Sequence, residues 1–174
     1  MTCGISYDAI ASSYDQLHGE EQRRKFNLVK HAITGSVLDV GCGTGIVWKE
    51  WKGKPVTGID PSQKLIEQAN HITTILGRGE LLPFPDKSFD TVTCFTALHN
   101  FDDYQQGLEE MTRVAKQKII VTLLKKSKKR KEIKTRIKQF LVVKEIIDDE
   151  TDDIFVCEPS HAIRRIGVPK KRKN

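Results

Sequence analysis

The segment that most limits the possible folds is the run SVLDVGCGTG, residues 36–45. An apolar stretch ends near Asp39, and glycines follow at positions 41, 43 and 45. Because glycine lacks a Cβ atom, Gly41 and Gly43 let the backbone approach a ligand closely and take conformations that other residues avoid. The run therefore predicts a buried strand, a ligand-binding turn and a helix that opens with free N–H groups.

Two phosphate-binding interpretations fail at this turn. A dinucleotide-binding turn, G-x-G-x-x-G, needs its third glycine at position 46, where the chain has Ile46. A nucleotide triphosphate loop needs Gly-Lys-Ser/Thr at the helix start, whereas Gly45 is followed by Ile46 and Val47. A zwitterion fits better, because Asp39 and loop carbonyls can face an ammonium group while the loop N–H groups face a carboxylate.

The rest of the chain alternates short β-branched runs with longer amphipathic ones, as β-α units around a mostly parallel sheet do. Predicted strands are 36–40, 56–59, 72–76, 89–95, 118–124, 141–147 and 154–158, and predicted helices are 20–32, 44–51, 63–69, 104–114 and 128–140. The acidic run DDETDD between the last two strands predicts a hairpin with its charges at the tip. We therefore predict one α/β domain over 1–174, a seven-stranded mostly parallel sheet with an antiparallel C-terminal hairpin and helices on both faces.

Several side chains are predicted to face the core or to cap a helix. The first helix is expected to contribute Phe26, Leu28, Val29 and Ile33, the basic helix Ile133 and Ile137, and Ser62 is expected to cap the helix that follows it. The second strand ends in Gly58-Ile59-Asp60, whose carboxylate can accept hydrogen bonds from both hydroxyls of a ribose. The two turns together predict a ligand in which an amino acid is joined to a nucleoside.

With these residues the chain resembles the class I, Rossmann-like S-adenosylmethionine-dependent methyltransferases. Three motifs carry the resemblance: VLDVGCGTG at 37–45, GID at 58–60 and LPFPDKSFD at 82–90. The resemblance implies a methyltransferase that uses S-adenosylmethionine, with helices of segment 1–35 covering the cofactor. The cofactor-binding residues that it implies are Asp39, Gly41, Cys42, Gly43 and Gly45 around the methionine end, Asp60 at the ribose, Gly79 and Glu80 at the adenine, and Thr96 after the fourth strand.

One position departs from the family pattern. Members commonly carry Gly-Asp-Ala after the third strand, with the aspartate at the adenine amino group, whereas here Gly77 is followed by Arg78. We expect the backbone N–H of Gly79 or the carboxylate of Glu80 to take over that contact.

The resemblance also implies two catalytic candidates. His99 lies in the segment after the fourth strand, where family members place residues nearest the transferred methyl, and an imidazole can act as a base near neutral pH. Its alternative role is a hydrogen bond to the cofactor or to a helix. Tyr14, in a family-like Tyr-Asp pair, is expected to shape the acceptor pocket, or otherwise to pack in the core. Because no Pro-Cys pair or Asn-Pro-Pro-Tyr motif follows the strand, we expect direct displacement at the methyl carbon.

The acceptor prediction rests on charge. The chain has a net charge of +6, concentrated in KKSKKRK at 125–131, within a basic segment 125–139, and in the tail 168–174. Lysine-rich runs contact phosphates, and the chain lacks room for the lid of small-molecule enzymes, so we predict RNA (tRNA or rRNA) or a translation-related protein as acceptor. The alternatives are a small-molecule enzyme of the quinone or metabolite type and a non-catalytic S-adenosylmethionine-binding subunit. An activating protein subunit is a further candidate partner.

Neither export nor metal binding is predicted. The longest apolar runs are far shorter than the about 20 residues that cross a bilayer, and the N-terminus lacks a secretory signal, so we expect a cytoplasmic protein without membrane contact. The four cysteines form no CxxC pair and no histidine stands at zinc-ligand spacing, so we expect reduced thiols and no metal.

Overall fold

The computed structural model describes residues 14–53 and 55–160 of the 174-residue chain. Its helices are α1 (Tyr14–Val29), α2 (Gln63–Ile66), α3 (Tyr104–Val114) and α4 (Arg130–Phe140), with single 3₁₀ turns at Lys30–Ala32, Ile46–Trp48 and Leu98–Asn100. Its strands are β1 (Val37–Val40), β2 (Val56–Asp60), β3 (Thr73–Leu76), β4 (Phe89–Phe95), β5 (Ala115–Leu124), β6 (Leu141–Asp148) and β7 (Asp152–Pro159). The basic tail 168–174, Cys3 and the first 13 residues lie outside the described part.

The strands form one seven-stranded sheet in the order β3-β2-β1-β4-β5-β7-β6. The first five strands of this order are parallel, and β7 pairs antiparallel with both β5 and β6. The predicted fold class is therefore confirmed. Because the order reverses between β1 and β4, the carboxyl ends of these strands form the crevice in which open α/β sheets bind their ligands.

Two apolar layers cover the two faces of the sheet. On one face, α1 and the 3₁₀ turn after β1 pack through residues such as Phe26, Val47 and Trp48. On the other face, α3 and α4 pack against the sheet, and Ile133 and Ile137 of α4 are fully buried as predicted. The alternation along each strand sends neighbouring side chains to opposite layers, which is why both faces need helices.

The predicted helix 44–51 is wrong. The structure has only the 3₁₀ turn Ile46–Trp48 there, because Trp48 turns inward, donates its indole N–H to Asp39 at 2.7 Å and packs edge-on against Phe26 and Trp51. The glycine turn is therefore not followed by an α-helix whose dipole would attract an anion.

Other helix boundaries also differ from the prediction. The first helix begins at Tyr14 rather than at residue 20, and Leu28, expected in the core, is 38% exposed. Helix α2 ends at Ile66, although Ser62 caps it as predicted by accepting the N–H of Leu65 at 3.3 Å. The basic segment starts as a turn, in which Lys125 donates its backbone N–H to Thr151, and only Arg130 begins α4.

The acidic turn between β6 and β7 exposes Asp148 and Glu150 but buries three other aspartates. Asp149, Asp152 and Asp153 are at most 6% exposed. Arg24 of α1 forms a bidentate pair with Asp149, at 2.9 and 3.0 Å, and Arg130 of α4 forms another with Asp153, at 2.7 and 2.9 Å. Helices from both faces of the sheet therefore supply cations to the buried aspartates of this turn.

Within the described part of the chain, no helix is long and apolar enough to cross a bilayer. Across the same residues, no three His, Cys, Asp or Glu side chains converge as metal ligands do. Cys42, Cys94 and Cys157 are buried free thiols.

Candidate cofactor and acceptor site

The glycine turn at the end of β1 has a backbone that requires glycine. Gly41, Gly43 and Gly45 have φ angles of +75°, +53° and +67°, all in the left-handed region. A Cβ atom on Gly41 would lie 2.4 Å from the Cβ of Ala97, in the segment after β4. The N–H of Gly41 donates to the carbonyl of Ile59 at 2.8 Å, and this bond links the turn to β2. The turn therefore lies directly between β2 and the segment after β4.

Asp60, the predicted ribose residue, is bonded to that turn. Its Oδ2 accepts the N–H of Gly43 at 2.9 Å and its Oδ1 accepts the N–H of Ser62 at 2.8 Å. The residue is 7% exposed. A carboxylate offers about four lone-pair sites, so each oxygen keeps acceptor capacity for a hydroxyl.

Asp39 lies two residues before the turn and is held from both sides. Its oxygens accept the indole N–H of Trp48 and the hydroxyl of Thr93, both at 2.7 Å. Burial raises the pKa of Asp39 to about 6, and the charge of Asp60 adds to the rise, whereas the bonds from Trp48 and Thr93 oppose it. The site therefore favours a neighbouring positive charge, which would stabilise the ionised carboxylate.

Cys42 contributes packing between the turn and β2. Its backbone N–H donates to Ile59 at 3.2 Å, and a Cβ on Gly58 would lie 2.6 Å from its sulfur. Burial raises the pKa of the thiol, so Cys42 stays protonated. The structure thus places its backbone at the turn and its side chain against the strand.

Helix α1 is anchored to the glycine turn by Asp15, which sequence reasoning missed. The Asp15 carboxylate accepts the hydroxyl of Thr44 and pairs with Lys49 at 2.8 Å. Burial alone raises the pKa of Asp15, but the bonds from Lys49 and Thr44 outweigh it and leave the pKa below its usual value. The Tyr-Asp pair could have indicated this role, but only its tyrosine was considered in the sequence analysis. Tyr14 is the first residue of α1, and its side chain lies outside the described part.

On the predicted adenine side, Gly79 is buried, and a Cβ there would lie 2.4 Å from the ring of Phe101. Glu80 accepts the backbone N–H of Asp102 at 2.9 Å and pairs with Arg78 at 3.3 Å. Arg78 also pairs with Asp102. The departure from the family pattern is thus accommodated locally, because the guanidinium of Arg78 balances two carboxylates beside Gly79.

Thr96 follows β4 and has a strained backbone. Its φ angle is +52°, a conformation that costs a non-glycine residue about 1 to 3 kcal/mol. Its N–H donates to Thr122 Oγ1 at 2.7 Å, and its hydroxyl donates to Asp152 at 3.1 Å. Strain of this kind persists only where several neighbours enforce it.

A fully buried ion pair adjoins Thr96, and no sequence pattern indicated it. Lys25 of α1 is 0% exposed and lies 2.7 Å from Asp152, which is also 0% exposed. The same ammonium donates to Thr96 Oγ1 at 2.8 Å and to Glu21. Lysine on the inner face of an amphipathic helix is the one signal that could have revealed the pair.

His99 lies in the 3₁₀ turn that follows. Its Nδ1 is buried and has no hydrogen-bond partner among the described residues. Burial lowers the pKa of His99, the charges of Lys25 and Lys129 lower it further, and Asp152 opposes them. The imidazole is therefore neutral at pH 7, as a base requires. The structure brings the segment that carries His99, through Ala97, against the glycine turn.

The structure has the parallel sheet with an antiparallel β7, the left-handed glycine turn after β1 and the carboxylate at the end of β2 that class I, S-adenosylmethionine-dependent methyltransferases share. Comparison with known proteins agrees. The family described as "Methyltransferase domain" matches residues 38–122, which span the three motifs, so the predicted resemblance to methyltransferases is confirmed. S-adenosylmethionine is the cofactor of this class, which confirms the cofactor prediction.

The chain is similar to a demethylmenaquinone methyltransferase of Thermotoga maritima, with 34% identity over 143 residues, 71% of this chain and 62% of that protein. It therefore spans about three fifths of that relative's length. Among solved structures, a SAM-dependent methyltransferase of Aquifex aeolicus has a TM-score of 0.73 at 17% identity, over 88% of this chain and 98% of that one.

Another solved structure of the same fold is a complex between the Haloferax volcanii Trm112 methyltransferase activator and a putative methyltransferase. Its TM-score is 0.74 at 18% identity, over 91% of this chain and 98% of that one. At these identities the two solved structures show the fold alone.

Proposed function

We propose that this chain catalyses methyl transfer from S-adenosylmethionine to a small, quinone-type acceptor by direct displacement. The observation that carries the proposal is the 34% identity to a demethylmenaquinone methyltransferase over 143 residues, 71% of this chain. This acceptor was the alternative of the sequence analysis, and the relative favours it over the RNA that the basic runs and the lack of a lid had suggested.

The proposed cofactor contacts follow from the turn. The N–H groups of Gly41, Cys42, Gly43 and Gly45 are donated within the fold, which leaves the N–H of Thr44 for the carboxylate of the methionine end. Asp39 supplies the negative charge for the ammonium. Asp60 accepts the ribose hydroxyls with its remaining lone pairs while it keeps its bond to Gly43. Gly79 offers its backbone N–H to the adenine ring, because Glu80 is engaged with Asp102 and Arg78.

The proposed chemistry asks little of the protein besides alignment. When bound, S-adenosylmethionine supplies a methyl group that its sulfonium already activates. The residues of this chain hold the acceptor in line with that methyl group. This alignment lowers the barrier to methyl transfer, because translational and rotational freedom is lost on binding and not in the reaction step. His99, neutral at pH 7, accepts the proton of an acceptor hydroxyl and thereby makes the acceptor a stronger nucleophile.

The structure also shows fewer free cations in the run 125–131 than its sequence implies. Lys125 pairs with Asp148 at 2.7 Å, Lys129 donates to the carbonyl of Phe101 at 3.2 Å, and Arg130 is bonded to Asp153. Of the lysines in this run, Lys126, Lys128 and Lys131 are exposed and pair with none of the described residues. These internal bonds weaken the argument for a phosphate-binding patch.

One experiment separates the two acceptor classes. Protein incubated with methyl-labelled S-adenosylmethionine is offered either a demethylmenaquinol analogue or total RNA, and label is followed in each fraction. We expect label in the quinol. The triple variant Lys126→Ser/Lys128→Ser/Lys131→Ser serves as the matched control, because quinol labelling should be unchanged in it. If RNA is labelled instead, and if its labelling is lower in this variant and decreases with added salt, RNA is the acceptor.

We also propose that an activating protein subunit binds this chain. This proposal is supported by the Haloferax volcanii complex, in which a methyltransferase of this fold is joined to an activator. The test is the activity of the purified chain alone. Full quinol methylation without any added protein would remove the need for such a subunit.

A further inference from the structure

The side chain of Lys25 is fully buried, and packing alone does not explain why a charged group occupies this position. Its ammonium donates hydrogen bonds to Glu21 and to the hydroxyl of Thr96 and forms an ion pair with Asp152 at 2.7 Å. Burying an ammonium is costly unless it is paired and hydrogen-bonded, and an apolar side chain of similar size often serves a core position at least as well. The cluster therefore needs a reason other than stability.

Four hydrogen-bond contacts link Thr96 to the residues around it, and they come from Lys25, Thr122 and Asp152. The residue's N–H donates to Thr122 Oγ1 at 2.7 Å, and the two hydroxyls lie 3.0 Å apart. The Thr96 hydroxyl accepts from Lys25 and donates to Asp152. Three segments that are distant in sequence, α1, β5 and the start of β7, thus bind one residue whose φ angle is +52°. A β-branched residue takes this conformation only under such constraint.

The conformation of Thr96 sets the direction of the chain where β4 ends. Ala97, the next residue, lies against Gly41 so closely that a Cβ on the glycine would be 2.4 Å from the Ala97 Cβ. The 3₁₀ turn Leu98–Asn100 follows at once and carries His99. A shift at Thr96 would therefore move both the residue that closes on the glycine turn and the candidate base.

We propose that Lys25 is a positioning residue for methyl transfer. Through the hydroxyl of Thr96, together with Asp152 and Thr122, it holds the backbone of Thr96 in the left-handed conformation. That conformation places residues 97–100 beside the glycine turn, where acceptor and methyl group meet. The inference rests on the proposed function for the identity of the reaction, but not for the geometry of the turn.

The test compares Lys25→Met, Thr96→Gly and the double variant in quinol methylation. Lys25→Met should lower kcat about 10- to 100-fold, since small misplacements at a reacting centre have effects of that size, while KM for S-adenosylmethionine changes less than about threefold. Glycine takes the left-handed conformation without strain. In the Thr96→Gly background, Lys25→Met should therefore lower kcat by less than about threefold.

A purely structural lysine would behave differently. Its loss would lower the melting temperature, leave kcat per folded molecule unchanged and act equally in both backgrounds, and that result would overturn the proposal. Should Lys25→Met fail to fold, Thr122→Val carries the same test, because it removes the acceptor of the Thr96 N–H and keeps every charge. An unchanged kcat in folded Thr122→Val would equally overturn the proposal.

A readout independent of activity separates this inference from the proposed function. The amide resonances of Gly41 and Ala97 in nuclear magnetic resonance spectra report the packing of the turn. Both should shift in Thr122→Val. If the wild-type protein methylates no quinol but these resonances shift, the proposed function fails and the positioning of the turn stands. If the resonances do not move, the positioning inference fails whatever the activity.

Discussion

The carboxylate of Asp60 accepts the backbone N–H of Gly43 at 2.9 Å, so the end of β2 and the glycine turn after β1 are one hydrogen-bonded unit. The second oxygen of Asp60 accepts the N–H of Ser62. The proposed ribose-binding residue thereby also fixes the turn proposed to bind the methionine end. A change at either position is expected to reach both halves of the cofactor.

Asp60→Ala is expected to weaken S-adenosylmethionine binding by about 1 to 3 kcal/mol, because the ribose hydroxyls and the Gly43 N–H both lose their acceptor. Isothermal titration calorimetry measures the affinity. Asp86→Ala is the matched control. Asp86 precedes β4, so it lies near the amino-terminal end of that strand, away from the glycine turn, and it pairs there with Arg113. Equal affinities of Asp60→Ala and wild type would remove Asp60 from the site.

Gly41→Ala is expected to weaken cofactor binding at least about tenfold and to lower the melting temperature. Alanine in the left-handed region costs roughly 1 to 2 kcal/mol, and its methyl group would meet Ala97. The control is Gly19→Ala in α1, where the nearest atom is the end of the flexible Ile46 side chain and alanine favours the helix. A Gly41→Ala protein as stable as Gly19→Ala would contradict the assigned backbone strain.

Cofactor affinity should fall in acid because of Asp39. Its pKa of about 6 in the folded protein means that the carboxylate is mostly neutral at pH 5 and mostly ionised at pH 7.5. Since an ammonium group binds the ionised form, we expect affinity at pH 5 to be about three- to tenfold weaker than at pH 7.5. Calorimetry across this range checks it. A flat profile would place the ammonium away from Asp39.

His99→Gln should lower kcat about 100-fold with little change in KM for S-adenosylmethionine, as expected for loss of a general base. Burial keeps the pKa of His99 below its ordinary value, so the wild-type rate should be constant above pH 7 and fall only in acid. The exposed His31→Gln serves as control. If His99→Gln keeps a kcat within about twofold of wild type, His99 is a hydrogen-bonding residue rather than a base.

Arg24→Gln should destabilise the fold at pH 7, because it removes the two hydrogen bonds to the buried carboxylate of Asp149. The bond from Arg24 holds the pKa of Asp149 well below its usual range. The stabilisation from the Arg24–Asp149 pair is therefore complete above the pKa of about 4 that an aspartate has in the unfolded chain, and it is lost as pH falls below that value.

Denaturant unfolding at several pH values measures this difference between wild type and Arg24→Gln. Lys126→Gln, which removes an exposed charge without a described partner, is the control and should leave the free energy of unfolding unchanged. A difference that grows below pH 4 would have the wrong sign for the proposed pair.

Local patterns were enough to predict the sheet and the glycine turn after β1. Strand periodicity gave all seven strands, and the bounds of β4 and α3 agree with the predicted 89–95 and 104–114. The glycines at 41, 43 and 45 required a left-handed turn because only glycine takes that backbone without strain. Such features depend on residues close in sequence, so they can be read directly.

Features that depend on distant residues could not be read in this way. Trp48 turns inward to Asp39 and replaces a predicted helix with a single turn. Asp149 is buried because Arg24, 125 residues earlier, reaches it. The place of Lys25 on the inner face of α1 does not reveal that its partner is Asp152, and both residues meet at the strained Thr96. Burial and charge pairing arise when packing brings separate segments together, and a one-dimensional pattern does not specify that meeting.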